Sequence, residues 1–122
     1  MNIAEALNSL KPNAEWALDG ETYSGLTWLD SNQTKPTESE VNTEITRLTN
    51  AEPMRLLRVE RDRLLTACDW IITMHKELGT NIPAAWKTYR QALRDLPASA
   101  SPSLDSNGNL DLTSVTWPTE PT

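Results

Sequence analysis

Apolar residues open the chain at helical spacing: Ile3, Ala6, Leu7 and Leu10 fall at i, i+3, i+4 and i+7. That spacing predicts a short amphipathic helix, and Lys11-Pro12 stops it. The period then changes. Glu15-Trp16-Ala17-Leu18 and Glu21-Thr22-Tyr23 are split by Asp19-Gly20, a dipeptide suited to a type I′ turn because both central positions need positive φ. A β-hairpin is expected there, extended by Leu26-Thr27-Trp28-Leu29. So small a sheet does not stand alone, so the first helix should cover one face, with Trp16 and Trp28 between them.

Residues 30–36 are polar, and Thr37 with Glu40 three positions later reads as a capping box. The helix that follows carries Val41, Ile45 and Leu48 on one face and is expected to end near Asn50. Glu52-Pro53 marks either a break or a fresh start with proline in the first turn. From Met54 an apolar stripe of Leu57, Leu64, Leu65, Cys68, Ile71 and Ile72 runs on to His75, interrupted by Arg61. Gly79 suits a helix C-terminus. Thr80 or Asn81 is placed to cap the next helix, with Pro83 in its first turn and Pro97 ending it. Beyond Pro97 the chain turns to Ser, Pro, Asn, Asp and Thr, the composition of an extended or disordered tail. Val115-Thr116-Trp117-Pro118 is an apolar island within it.

The pattern therefore predicts an α+β fold, mainly α. Residues 1–34 form a helix and β-hairpin module, 35–97 a helical hairpin, and 98–122 a flexible or extended docking tail.

Composition sharpens this picture. The 122 residues hold one domain and at most a small satellite. Apolar residues make up 38%, below the usual share of about 45–50%, so part of the chain lies outside any core. Five Trp, two Tyr and no Phe favour half-exposed contact sites, since an indole pairs a large apolar face with an N–H donor. The net charge is −6 and unevenly spread. Residues 1–52 carry three basic against nine acidic groups, 53–97 eight against five, and 98–122 three acids alone. That distribution argues against nucleic acid as a partner, because phosphate binding needs a concentrated basic face. Glu60 and Asp62 interrupt the only candidate, Arg55, Arg58, Arg61 and Arg63, which reads as a solvated or ion-paired helix face.

A single cysteine excludes an internal disulfide, and Cys68 lies on the apolar stripe as packing. No stretch approaches the ~20 apolar residues of a membrane span, and the start lacks the pattern of a signal peptide. A soluble protein made inside the cell is expected, with no membrane partner. Catalytic machinery is sparse. His75 is the one histidine, near a helix C-terminus that favours imidazolium. Cys68 and His75 are two helical turns apart, about 10 Å of rise. One Cys and one His do not make a typical zinc site, and no glycine-rich phosphate loop is present. Neither enzyme activity nor a cofactor or metal is expected.

Recognition remains. Trp86, Tyr89 and Leu93 form a ridge at i, i+3 and i+7, which either packs on the preceding helix through Trp70 and Ile71 or meets a partner. Arg90 and Arg94 flank it, and their guanidinium forks suit carboxylates or carbonyls of another chain; unspecific surface charge is the other reading. Trp117-Pro118 in a polar tail fits a segment that orders on binding. The expected partner-binding residues are Trp70, Trp86, Tyr89, Arg90, Arg94, Trp117 and Pro118.

Arg61, Leu64, Leu65 and Asp69-Trp70, then Tyr89-Arg90-Gln91-Ala92-Leu93-Arg94-Asp95 with Pro97, and the closing Val115-Thr116-Trp117-Pro118 resemble the phage tail assembly chaperone family. Ala14-Glu15-Trp16, Trp28-Leu29-Asp30 and Lys35-Pro36-Thr37-Glu38 are similar to small XkdW-type proteins of phage tail gene clusters. The turn Lys76–Pro83 departs from the family's usual text. The resemblance implies a protein that helps assemble a phage tail or tail fibre in the host cytoplasm. It would bind the fibre or another tail protein at its C-terminal region, with self-association a further expectation. The alternative it leaves open is a virion component that stays bound as a fibre adaptor or cap.

Overall fold

Asn2 and Glu5 open the first helix by reciprocal bonding. Asn2 Oδ1 accepts the Glu5 N–H at 2.9 Å, and Glu5 Oε2 accepts the Asn2 N–H at 2.7 Å, so two donors with no partner in the helix are satisfied. A computed structural model describes residues 1–122. In chain order it holds α1 (Ile3–Leu10), β1 (Trp16–Leu18), β2 (Leu26–Trp28), α2 (Glu38–Ala67), α3 (Asp69–Leu78) and α4 (Ala84–Ser99), with single 3₁₀ turns at Tyr23–Gly25 and Leu112–Ser114. The fold is α+β and mainly α, as the pattern predicts. Two compact units divide the chain, Met1–Glu52 and Pro53–Thr122.

In the first unit, β1 and β2 pair antiparallel, with Trp16 opposite Trp28, Ala17 opposite Thr27 and Leu18 opposite Leu26. The second strand is thus Leu26–Trp28 rather than Glu21–Tyr23, and Asp19-Gly20 does not close a two-residue turn. The register explains the correction. A two-residue turn sets Glu21 against Leu18, whereas the observed pairing stacks two apolar pairs on one face. The longer loop closes through the Asp19 N–H on Gly25 O at 2.9 Å. Gly25 is required there, because a Cβ would lie 1.8 Å from Asp19 O. Ala6, Leu7, Leu26 and Val41 form the buried centre, with Trp16, Trp28, Leu18, Tyr23 and Ile45 packed around it. The first helix and the first turns of α2 therefore share the core of the hairpin, with both tryptophans at its edge. Polar tips are satisfied locally: Trp28 Nε1 donates to Gln33 O at 2.8 Å and Tyr23 Oη to Pro36 O at 2.6 Å.

α2 starts where the sequence places it, with Thr37 Oγ1 accepting the Glu40 N–H at 3.1 Å. It does not end near Asn50 but runs through Pro53 to Ala67. Proline there lacks the N–H that would reach the carbonyl four residues back, and the second unit begins at this residue. The stripe expected to continue to His75 is instead cut at Cys68, whose φ of −113° and ψ of 9° leave helical geometry. Tight three-residue bonds, Cys68 N–H to Leu65 O and Ile71 N–H to Cys68 O, both 3.2 Å, carry the chain from α2 into α3. Gly79 ends α3 in the left-handed region at φ 68°, as its sequence position predicts, donating to His75 and Lys76 carbonyls.

Two boundaries of α4 differ from expectation. Pro83 stands at the N-cap with no side-chain cap, so Thr80 and Asn81 both lie ahead of the cap position, and Thr80 Oγ1 bonds His75 Nδ1 at 2.7 Å instead. Pro97 lies inside α4, which continues to Ser99. A proline in the last turn removes one helical bond only, and burial of Leu96 beside it holds the turn in place.

Two cores serve the second unit. One joins Cys68, Ile71, Tyr89 and Leu93, with Leu64, Leu65 and Trp86 against them. The other joins Leu57, Leu96 and Val115, with Met54, Ala100, Leu110 and Trp117. The chain after α4 thus carries its own structure. Asp111 N–H donates to Ser103 O at 2.9 Å, Asp105 N–H to Asn109 O at 2.7 Å, and Leu104 bridges to Leu110.

Candidate functional site

The Tyr89–Asp95 block builds the centre of the second unit. Tyr89, Leu93 and Leu96 on α4 are all buried, and Trp86 stands edge-on to Tyr89, with ring centroids 5.8 Å apart at 83°. Of the two readings of this ridge, packing on the preceding helical segment describes Tyr89 and Leu93, while Trp86 is half-buried. Burial holds the Tyr89 phenol above its usual pKa, the Glu120 carboxylate and Cys68 push the same way, and Arg63 opposes them.

Arg90 is drawn inward. Its Nη1 donates to Leu65 O at 2.9 Å and Cys68 Sγ at 3.0 Å, and its Nη2 pairs with Asp69 Oδ1 at 2.8 Å. One guanidinium therefore ties the end of α2 to the start of α3 from α4. Burial works against its charge, but the bonds to Cys68 and Asp69 outweigh that, and its pKa is raised. Arg94 faces outward and bonds Gln91 Oε1 at 2.8 Å. Ile72, Lys87 and Arg94 line an open groove with their neighbours on α4.

Trp117 and Pro118 are half-buried. The Trp117 indole packs on the Leu57 and Leu96 core and donates from Nε1 to Leu112 O at 3.1 Å. Trp70 behaves differently. It is 61% exposed at the first turn of α3, while its neighbour Ile71 is buried. The expected site residues thus separate: Trp86, Tyr89 and Arg90 pack from α4 near the α2–α3 junction, Trp117 rests on the second core with half-buried Pro118 next in the chain, and Trp70 and Arg94 are exposed outside both. Half-buried Met74 and Leu78, 67% exposed, continue from Trp70 at i+4 and i+8. That spacing was available in the sequence as a second stripe beside Ile71, and it was missed.

No group of three or more His, Cys, Asp or Glu side chains is placed to hold a metal ion, and no helix is long and apolar enough to cross a membrane. The second unit is a helical scaffold with Trp70 and Arg94 exposed and Tyr89 buried. A family model for phage tail assembly chaperone proteins matches residues 54–122, which takes in both cores, the Arg90 clamp and the tail. The chain belongs to that family. Membership makes it a protein of phage tail assembly, points to other phage tail proteins as its partners, and suggests a non-enzymatic role. No curated protein and no solved structure matches the chain.

Proposed function

We propose that this protein chaperones tail-fibre chains, binding their C-terminal region and shielding apolar surface while they fold and trimerise in the host cytoplasm. The observation that carries this reading is Trp70, an indole 61% exposed on a helix whose neighbouring residue is core. Large exposed aromatics are the side chains that anchor protein interfaces. Met74 and Leu78 extend the same strip, so a client meets a line of apolar side chains rather than one ring. The clients need such cover: long β-rich chains find their register slowly and expose unpaired edges and apolar faces meanwhile.

Co-expression tests the proposal. Soluble trimeric fibre should fall when the protein is omitted and when Trp70 is replaced by alanine. Unchanged fibre yield on omission overturns it. An adaptor that stays in the virion is the second reading, favoured by an apolar surface already exposed in the folded protein, since permanent interfaces are large and apolar. Mass spectrometry of purified particles separates the two, because a chaperone is absent from them and an adaptor is present at a fixed ratio to fibre.

A further inference from the structure

The segment after α4 covers helix surface that is otherwise open. Leu57 on α2 is fully buried and Leu96 on α4 is 8% exposed, and both owe this in part to Val115, itself 7% exposed, and to the Trp117 ring. The bonds that order the segment close within it. Asp111 N–H reaches Ser103 O at 2.9 Å, Ser103 N–H reaches Ser114 Oγ at 3.0 Å, and Trp117 Nε1 reaches Leu112 O at 3.1 Å. Its seat on the helices is made by the apolar side chains of Leu110, Val115 and Trp117. Few side chains hold it down, and the residues between them are Ser, Asn, Asp, Thr and Pro.

We propose that the face of α2 and α4 floored by Leu57 and Leu96 is a binding site for an extended segment of a client tail protein, and that Val115 and Trp117 occupy it until the client replaces them. The occupant's chemistry is written in the segment now seated there. Val115 has extended backbone, φ −121° and ψ 135°, and residues 115 and 117 both reach the Leu57 and Leu96 core. The site therefore takes an apolar residue and an aromatic two positions later. A client of that pattern gains the same burial as the chain's own tail, so the two compete. The own tail keeps the apolar floor covered while no client is present, which limits unspecific association.

The inference rests on the assembly role proposed above, which supplies the client, but its test needs no fibre. The probe is a labelled peptide with the sequence of residues 109–122, and the protein is the full chain carrying V115D and W117A, followed by fluorescence anisotropy. The peptide should bind this variant at least ten-fold more tightly than it binds the wild type, whose site is filled. Equal binding to both, or no binding to a variant of native helicity, overturns the proposal. If the variant does not fold, hydrogen exchange of the wild type decides: the Asp111 and Val115 amides should exchange through an opening that leaves α4 protected. Exchange of the segment and α4 together overturns it. A wild-type dimer by light scattering, with tails exchanged between copies, overturns it too. Peptide binding alongside unchanged fibre yield sinks the chaperone role and leaves the site standing.

Discussion

Arg90 reaches from α4 to the carbonyl oxygen of Leu65, 2.9 Å away in the last turn of α2. The end of a helix leaves carbonyls without partners and carries partial negative charge. Leu65 O also takes the Cys68 N–H at 3.2 Å, so the guanidinium fills its second lone pair and answers the partial charge, while its second nitrogen holds Asp69 at the start of α3.

Lysine cannot reproduce this fork. Arg90→Lys should lower unfolding free energy by about 1–3 kcal/mol, read from urea denaturation. Arg94→Lys, at an exposed position, should stay within about 0.5 kcal/mol of wild type. Equal small losses for the two would show that Arg90 is no clamp.

The two glycines of the hairpin loop separate steric from conformational cost. Gly25→Ala drives a Cβ into Asp19 O and should destabilise by on the order of 2–3 kcal/mol. Gly20 has φ 82° and open space around it, so Gly20→Ala should cost only the left-handed penalty, about 1–2 kcal/mol. Thermal melts of the two variants side by side check the order.

Asp30 accepts three backbone N–H bonds, from Glu15 at 2.9 Å, Asn32 at 2.7 Å and Gln33 at 2.8 Å. The Glu15 N–H, then those of Gln33 and Asn32, hold its pKa below the usual carboxylate value. A depressed folded pKa means the contribution is present above the unfolded pKa of about 3.9, and is lost as pH falls through the lower, folded value. Asp30→Asn should therefore melt below wild type at pH 7, and the gap should close as the pH drops beneath about 4. A gap independent of pH would contradict the assignment.

Leu93 and Trp70 should part company. Leu93 is fully buried, and Leu93→Ala should cost about 2–5 kcal/mol through transfer and cavity terms. Trp70→Ala should change stability by no more than about 0.5 kcal/mol while weakening binding to a tail protein. Denaturation curves and a pull-down with co-expressed fibre measure the two effects separately.

Much of this architecture was legible from short-range pattern. The Ile3–Leu10 helix, the Thr37 start and the Gly79 stop each depend on groups a few residues apart, so the sequence carries the whole interaction. Asp19-Gly20 misled because a locally good turn lost to a register that stacks Trp16 on Trp28 and Leu18 on Leu26. Cys68 was legible as core but not as the break between α2 and α3, since nothing in its type marks a helix end. Arg90 matched the family pattern, yet its occupation by Leu65, Cys68 and Asp69 is a meeting of residues more than 20 positions apart.

By itself the sequence determined the helical periods, the mainly α class, the stops at glycine and the likeness to a tail assembly family, because each is set by spacing along the chain. Tertiary structure alone decided which strand pairs with Trp16–Leu18, where Arg90 spends its hydrogen bonds, and that Trp117 rests on Leu57 and Leu96. Those outcomes compare burial and pairing among arrangements that are locally equivalent, and only the folded chain holds the distances that rank them.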